Sequence, residues 1–325
     1  MLEEKPQPEN DQDDSFFGKV VDTYRDQRVW QYGVGPTMVV YVLSSLFDSG
    51  SLRFDQILIA TPMIAGCYIP QARSVLQALW PFFLTGLTYD AMKYVTPWVH
   101  MHNPPHVEGP YRVEKFLFGI ETGDGNEMIP SEYLMNAYSV AIDLPCAFAY
   151  FFFLYESFIL GFYLLGTDQL TLRRFGWAFF IVNIMGQTTY FLFPAAPPWY
   201  VMKYGTGPAN LEVTSDPARL SAVDAYLGIT YFQAIYSRSS NVFGALPSLH
   251  AAYPLLVWIT TLKVFPRFHW FFLGLSLLTG FAAVYLCHHY VIDVLLGVTY
   301  ATIAYLAVGA LCDRVEERDK IQQWW

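Results

Sequence analysis

His289 and Asp293 are spaced in a way that could support covalent catalysis. They are four residues apart at the start of an apolar segment, so on a helix they lie on one face. An aspartate one turn into a membrane span is costly without a partner, and a ring nitrogen of His289 is the obvious one. Such a bond would fix the tautomer and leave the other nitrogen as a nucleophile. A purely structural polar pair is the alternative interpretation.

A second histidine lies in the stretch FGALPSLH, which leads from a long polar connection into the next apolar segment. Pro247 suits the first turn of a helix, where unbonded backbone amides can bind phosphate. Ser248 adds a hydroxyl donor, and His250 adds a group that can titrate near neutral pH. Pro-Ser is also an ordinary helix start, so Ser248 alone indicates little. His250 has no capping role at that position, so its presence favours a catalytic function for this stretch.

The composition of the chain indicates what must position these residues. Of 325 residues, 54% are hydrophobic and only 14% charged, too few charges to cover a soluble domain of this size. Backbone exposed to lipid must satisfy its own hydrogen bonds, so the apolar segments predict helices. The predicted fold is all-α, a polytopic membrane bundle. The segments are Val34–Phe47, Ile57–Ile69, Val75–Trp98, Ala137–Leu165, Phe175–Phe193, Ala251–Phe265, Trp270–Leu286 and Val291–Leu311.

These segments suggest four regions. Residues 1–33 form a polar N-terminus that is partly disordered and includes a stretch able to lie on the membrane surface. Residues 34–72 hold one or two extra helices, which are short for full spans. Residues 73–312 form a six-span catalytic core. Residues 313–325 form a cytoplasmic tail.

Lysines and arginines in short loops predict the orientation. They cluster after the Ala137, Ala251 and Val291 segments. If those three regions are cytoplasmic, the connections 99–136 and 194–249 and the turn 287–290 share the opposite face. That face would be a Golgi lumen or a bacterial periplasm. The sequence motifs therefore converge on one side of the membrane.

Other features exclude several classes of function. The net charge of −9 argues against nucleic acid as a partner. The four cysteines show no C-x-x-C spacing, which disfavours a zinc site or a disulfide framework. His100, His102 and His106 could bind a metal, but two prolines intervene and no carboxylate pair is near. We therefore predict no metal and no cofactor.

The two histidine motifs resemble a known superfamily. PSLH, followed some forty residues later by H-x-x-x-D, is similar to the type 2 phosphatidic acid phosphatase superfamily of membrane phosphotransfer enzymes. The resemblance implies a six-span core with its motifs on the outer face. It implies that His289 attacks phosphorus, that Asp293 orients it, and that His250 protonates the leaving oxygen.

A closer resemblance covers roughly residues 131 to 311. The stretches QTTYFLFPAAPPWY, VFGALPSLHAAYP and YLCHHYVIDVLLG resemble the signature motifs of inositol-phosphorylceramide synthases, the aureobasidin-target family. That resemblance implies transfer of phosphoinositol from phosphatidylinositol to a ceramide hydroxyl. A phospholipid donor and a lipid-hydroxyl acceptor are therefore the expected partners.

The chain also departs from the hydrolases of the superfamily. It has no Arg-Pro, and Ala282 and Ala283 stand where those enzymes carry Ser-Arg. Fewer cations suit a phosphodiester with one charge better than a monoester with nearly two. If one cation still binds the phosphate, Arg238 is the first candidate and Lys203 the second, although either could be a solvated loop charge. Asp143, inside a predicted span, could bind a substrate hydroxyl or pair with another helix.

These observations favour a metal-independent phosphotransferase of membrane lipids. It would act through a phospho-histidine and belong to sphingolipid metabolism. A lipid phosphate phosphatase, in which water replaces the acceptor, is the alternative. A non-catalytic carrier is a third hypothesis, but a carrier has no need of His250, His289 and Asp293 together.

Overall fold

The computed structural model describes residues 27–49, 53–237 and 241–322. They form two compact units that divide between Ala78 and Leu79. Regular structure in the described residues is almost entirely helical, so the all-α prediction is confirmed. Most of the predicted polar N-terminus lies outside the described residues.

The first unit is built on two helices where the sequence predicts the N-terminal pair. A π-helical turn, Val29–Val34, leads into α1 (Gly35–Ser49), and α2 (Phe54–Tyr68) follows. Both helices pack against the turn, whose Trp30 is fully buried. The Cys67 thiol donates to the Trp30 carbonyl at 3.0 Å, which ties α2 to the turn.

The second unit begins within the long helix α3 and contains the site. Its helices are α3 (Pro70–His102), α4 (Glu108–Phe118), α5 (Pro130–Leu134), α6 (Val140–Thr167), α7 (Gln169–Leu192), α8 (Pro198–Tyr204), α9 (Leu220–Leu227), α10 (Tyr231–Tyr236), α11 (Leu249–Val264), α12 (His269–Tyr285) and α13 (Val291–Gln322). Strands β1 (Ile120–Glu121) and β2 (Glu127–Met128) form a short antiparallel hairpin. Helix α13 continues past the predicted end of the last span.

The helices differ in whether they are long enough for a bilayer. Val140–Thr167 and Val291–Arg314 are long and apolar enough to cross one. Shorter apolar helices occupy Gln56–Tyr68, Leu249–Val264 and His269–Tyr285. The membrane-helical class predicted from composition is therefore supported by individual elements.

Helix α11 is the centre of the second unit. It packs against α6, α7, α12 and α13, and its buried residues lie on nearly every side. A helix that is apolar all round belongs in the middle of a bundle. Helix α13 reaches α11 at Gly297, where a Cβ atom would lie 2.1 Å from the Ser248 carbonyl oxygen. The missing side chain lets α13 approach the start of α11, where the two histidine motifs meet.

Candidate active site

The turn between α12 and α13 sets the position of His289. Cys287 adopts a left-handed conformation with φ of 63°, and this reverses the chain. The backbone amides of His288 and His289 both donate to the Ala283 carbonyl, at 3.1 and 3.0 Å. The Trp199 amide donates to the Cys287 carbonyl at 3.0 Å and fastens the turn to the PPWY segment. His289 is thus held at the end of α12.

The His289 ring is oriented mainly by a backbone carbonyl. Its Nδ1 lies 2.8 Å from the Ala245 oxygen and 3.5 Å from Asp293 Oδ2. Because a carbonyl oxygen only accepts, Nδ1 carries the proton and Nε2 is left with its lone pair. The sequence predicts this tautomer, but with Asp293 as the only acceptor for the His289 hydrogen bond. The Ala245 carbonyl is the nearer acceptor because the segment that leads into PSLH lies against this turn.

His250 faces the unprotonated nitrogen of His289. Its Nδ1 lies 3.2 Å from His289 Nε2, so the two predicted catalytic histidines are in contact. With Nε2 of His289 unprotonated, Nδ1 of His250 is the donor of this hydrogen bond. Tyr150 stacks on the His250 ring, with centroids 4.0 Å apart and planes 9° apart. The stacking fixes the plane in which His250 presents its proton.

Asp293 joins the two motifs rather than pairing with His289 alone. Its side chain is fully buried, and Oδ2 accepts from the Tyr290 amide at 2.8 Å. Its backbone oxygen accepts from the Ser248 amide at 2.9 Å, which ties α13 to the start of α11. The carboxylate therefore orders the first turn of α13 and places a negative charge beside the His289 ring.

Glu114 is a site residue that the sequence analysis missed. It is fully buried, and its two carboxylate oxygens accept from the amides of Val291 and Ile292 at 2.8 and 3.1 Å. Burial raises the pKa of the Glu114 carboxyl, although the two amide bonds oppose that shift. The segment VEKFLFG reads as a surface helix, and nothing in it indicates a partner 177 residues away.

The FPAAPPWY segment supports the Ala245 carbonyl. Ala195 pairs in parallel with His106 on one side and with Gly244 on the other. The Ala195 amide donates to Phe243 at 2.8 Å, and the Ala245 amide donates to Ala195 at 3.3 Å. The segments around His106, Ala195 and Gly244 thus form one hydrogen-bonded layer, and that layer aims the Ala245 oxygen at His289.

Both histidines open onto a cavity of about 520 Å³ in the second unit. Aromatic side chains from α3, α6, α7, α10 and α11 form most of its wall. They include Phe82, Phe153, Phe158, Phe179, Tyr231 and Tyr253. Among the described residues, no lysine or arginine lines the cavity. Such a space accepts acyl chains and disfavours a dianion.

The predicted binding residues lie elsewhere or have other partners. Ser248 is fully buried, and its hydroxyl accepts from the Ala251 amide as the N-cap of α11. Lys203 is half-exposed and pairs with Asp216 at 2.7 Å. Asp143 accepts two hydrogen bonds from Arg219, at 3.0 and 2.7 Å, and one from Tyr285 at 2.9 Å. Arg238 lies outside the described residues.

The three histidines of HMHNPPH do not converge. His100 contacts Phe243 edge-on, His102 bonds the Trp98 carbonyl, and His106 stacks on Phe193. In the described part of the chain, no group of three or more His, Cys, Asp or Glu side chains is placed to hold a metal ion.

Two histidines in contact, a buried aspartate and an apolar cavity in a helical membrane unit define a class of protein. They are the arrangement expected of a membrane-embedded enzyme. Residues 127–307 match the family model described as the PAP2 superfamily, and the chain belongs to that superfamily.

Individual relatives show which members of the superfamily this chain resembles. The phosphoinositol dihydroceramide synthase of Bacteroides thetaiotaomicron is 33% identical over 83% of this chain and 90% of its own length. The inositol phosphorylceramide synthase catalytic subunit of Schizosaccharomyces pombe is 35% identical over 49% of this chain and 37% of its own. The inositol phosphorylceramide synthase of Candida albicans is 36% identical over 39% and 27%. No solved structure gives a significant match. The superfamily, the subfamily resemblance and the phosphotransferase class predicted from the motifs are confirmed.

Proposed function

We propose that this protein transfers phosphoinositol from phosphatidylinositol to the hydroxyl of a ceramide or dihydroceramide. The observation that carries the proposal is the contact between His289 Nε2 and His250 Nδ1 at the wall of an aromatic cavity. The relatives named for this reaction support it, most of all the bacterial protein that this chain covers almost completely.

In the first half-reaction, the lone pair of His289 Nε2 attacks the phosphorus of the donor lipid. The bond from phosphorus to the diacylglycerol oxygen breaks, and His250, protonated on both ring nitrogens for this step, gives that oxygen its Nδ1 proton and becomes neutral. The His289 ring gains positive charge as the new bond forms. The Ala245 carbonyl, 2.8 Å from Nδ1, and the Asp293 carboxylate, 3.5 Å from it, stabilise that charge.

In the second half-reaction, the acceptor hydroxyl attacks the phospho-histidine. His250, now unprotonated, takes the hydroxyl proton, and the phosphorus–nitrogen bond breaks to restore His289. His289 Nε2 and His250 Nδ1 are 3.2 Å apart, too close for a phosphoryl group to fit between them. The substrate must therefore displace the His250 ring from His289 by several ångströms before attack.

The surroundings favour transfer over hydrolysis. A transferase must let a lipid hydroxyl reach the intermediate and keep water out, which demands a dry and oriented slot. The aromatic wall supplies such a slot. The lack of lysine and arginine in its described lining suits a phosphodiester monoanion better than phosphatidic acid.

The site is proposed to face the non-cytoplasmic side, in a core of six spans. Arg173 and Arg174 follow α6, Arg267 follows α11, and Arg314 lies in the C-terminal part of α13, whereas the site lies towards the opposite ends of those helices. Cysteines placed at 206–212 should react with an impermeant thiol reagent added from the non-cytoplasmic side, and cysteines at 314–320 should not. Labelling of both sets from one side would contradict this orientation.

The function is tested with purified protein and labelled phosphatidylinositol, with and without ceramide, followed by mass spectrometry of the lipids. Inositol-phosphorylceramide should form only with ceramide present, and phosphatidic acid should release little phosphate. His289→Ala should abolish transfer, whereas His269→Ala, at the far end of α12, should not. Rapid phosphate release from phosphatidic acid that ignores ceramide would instead establish a phosphatase.

A further inference from the structure

His288, the neighbour of the nucleophile, lies on the wall of the same cavity. Its ring is only 5% exposed and packs between two tyrosines. The ring centroids are 5.2 Å from Tyr150, at 17°, and 4.8 Å from Tyr236, at 20°. The spacing between His288 and Asp293 predicts only a local supporting role for His288. The two tyrosines, however, hold its imidazole in one plane beside the reacting groups.

The hydrogen bonds of His288 determine its tautomer. The Pro217 carbonyl accepts a hydrogen bond from the ring. Nε2 is buried and has no hydrogen-bond partner among the described residues, so Nδ1 makes the bond to Pro217. Nε2 is then a bare acceptor. Burial, reinforced by the neighbouring His289, lowers the pKa of His288 to about 3, so this acceptor stays neutral at physiological pH.

The two tyrosines that enclose His288 supply a hydrogen-bond donor. The hydroxyls of Tyr150 and Tyr236 hydrogen-bond each other. Whichever hydroxyl accepts in that pair keeps its own proton for another partner. A neutral acceptor and a neutral donor therefore belong to stacked rings that line the same cavity. An alcohol, which both donates and accepts, complements that pair.

We propose that His288 and the Tyr150–Tyr236 pair form a subsite for a hydroxyl group of the substrate, with His288 Nε2 accepting the hydroxyl proton. An anion does not fit this subsite, because the lone pair of a neutral imidazole repels a phosphate oxygen. An unpaired buried acceptor is also costly, and a ligand hydroxyl relieves that cost. The inference rests on the proposed function and identifies what the cavity recognises beyond the phosphate.

The hydroxyl could belong to the head group of the donor or to the acceptor lipid. The head group is the better fit, because the long connection between α8 and α11 brings polar groups to His288. Its Pro217 carbonyl bonds the His288 ring, and its Ser215 and Asn241 line the same cavity. A cyclic polyol offers several hydroxyls to such groups, whereas a ceramide offers few.

Binding measured without turnover tests the subsite. His289→Ala removes the nucleophile, and adding His288→Phe keeps the stacked ring while removing the acceptor. We expect the Kd for phosphatidylinositol in detergent micelles to rise about tenfold on adding His288→Phe, the cost of one unsatisfied neutral hydrogen bond. The Kd for phosphatidic acid, which lacks head-group hydroxyls, should not change. His288→Gln, which restores an acceptor, should recover part of the affinity.

Three outcomes decide the proposal. A loss of affinity for phosphatidylinositol alone supports the head-group subsite. A loss of affinity for ceramide alone would place the hydroxyl on the acceptor lipid and overturn that assignment. If adding His288→Phe leaves the Kd of each of the three lipids unchanged, the subsite itself is overturned. Tyr236→Phe, which keeps the stacked ring and removes the hydroxyl, gives an independent readout if His288→Phe does not fold. His269→Phe controls for the chemical change. Binding is measured without turnover, so these results do not depend on the proposed reaction. The proposed function fails on a different observation, which is wild-type protein that forms no ceramide-dependent product.

Discussion

Gly297 offers a sharp test of how the two motifs are held together. A Cβ atom at this position would lie 2.1 Å from the Ser248 carbonyl oxygen, whereas ordinary contact begins near 3.4 Å. The shortfall is about 1.3 Å, and the obstructing atom is backbone, which cannot rotate away as a side chain can. Gly297→Ala must therefore push α13 away from the start of α11.

That displacement acts directly on the site. The Ser248 amide donates to the Asp293 carbonyl at 2.9 Å, and His289 Nε2 lies 3.2 Å from His250. A shift of about 1 Å exceeds what either contact tolerates, and misplacement on that scale costs on the order of 100-fold in rate. Overpacking should also lower the free energy of unfolding by about 1–3 kcal/mol.

The assay is ceramide-dependent transfer of labelled phosphoinositol, with thermal unfolding in detergent measured on the same samples. Gly309→Ala is the matched control, because it lies in the same helix and its Cβ would meet nothing within 4 Å. Alanine is the better helix former, so this control should be neutral or slightly stabilising. Wild-type kcat/KM for Gly297→Ala, or equal losses in both variants, would refute the reasoning.

Three further predictions follow from the same geometry. Glu114→Gln loses one of two amide-accepting oxygens at the start of α13, so kcat/KM should fall about tenfold or more. Glu132→Gln makes the same change at the cap of α5 and should leave transfer nearly unchanged, and similar losses in both would reject a specific role for Glu114. Burial lowers the pKa of His288 to about 3, so below pH 6.5 the unfolded chain binds a proton that the folded protein refuses, and stability falls as pH is lowered. The melting temperature of His288→Phe should therefore depend less on pH between 6.5 and 4 than that of wild type, and parallel curves would contradict this. Saturating EDTA should leave transfer intact, since all the proposed catalytic groups belong to the protein, whereas full loss restored by one divalent metal would require a metal site.

The two histidine motifs could be recognised in the sequence because their information is local. His289 and Asp293 share a helical face whatever surrounds them, since their spacing is one turn. Ser248 indicates the start of α11 by the same kind of local preference, and the structure places it at the N-cap. The sequence predicts Pro247 in the first turn, but it lies one residue before that N-cap. The apolar segments predict the helices because the hydrocarbon core leaves the backbone few alternatives.

Other contacts depend on which elements become neighbours. The Asp143–Arg219 pair joins residues 76 apart, and Glu114 reaches α13 across 177. The Ala245 carbonyl that orients His289 is a backbone atom, which every residue possesses and no motif marks. Apolar helices of similar composition can pack in many orders, so their sequences do not say which loops will meet.

The sequence by itself determined a membrane-helical protein with His289, Asp293 and His250 as candidate catalytic residues, because spacing and composition act within single helices. The phosphotransferase class came from the resemblance of its motifs to a known superfamily. Only the tertiary structure decided that the Ala245 carbonyl and Asp293 both lie beside His289 Nδ1, that Glu114 caps α13, and that His288 lies in the cavity wall between two tyrosines. Each of these is a contact between distant segments, and its energy comes from burial and hydrogen-bond geometry that exist only once the bundle has packed.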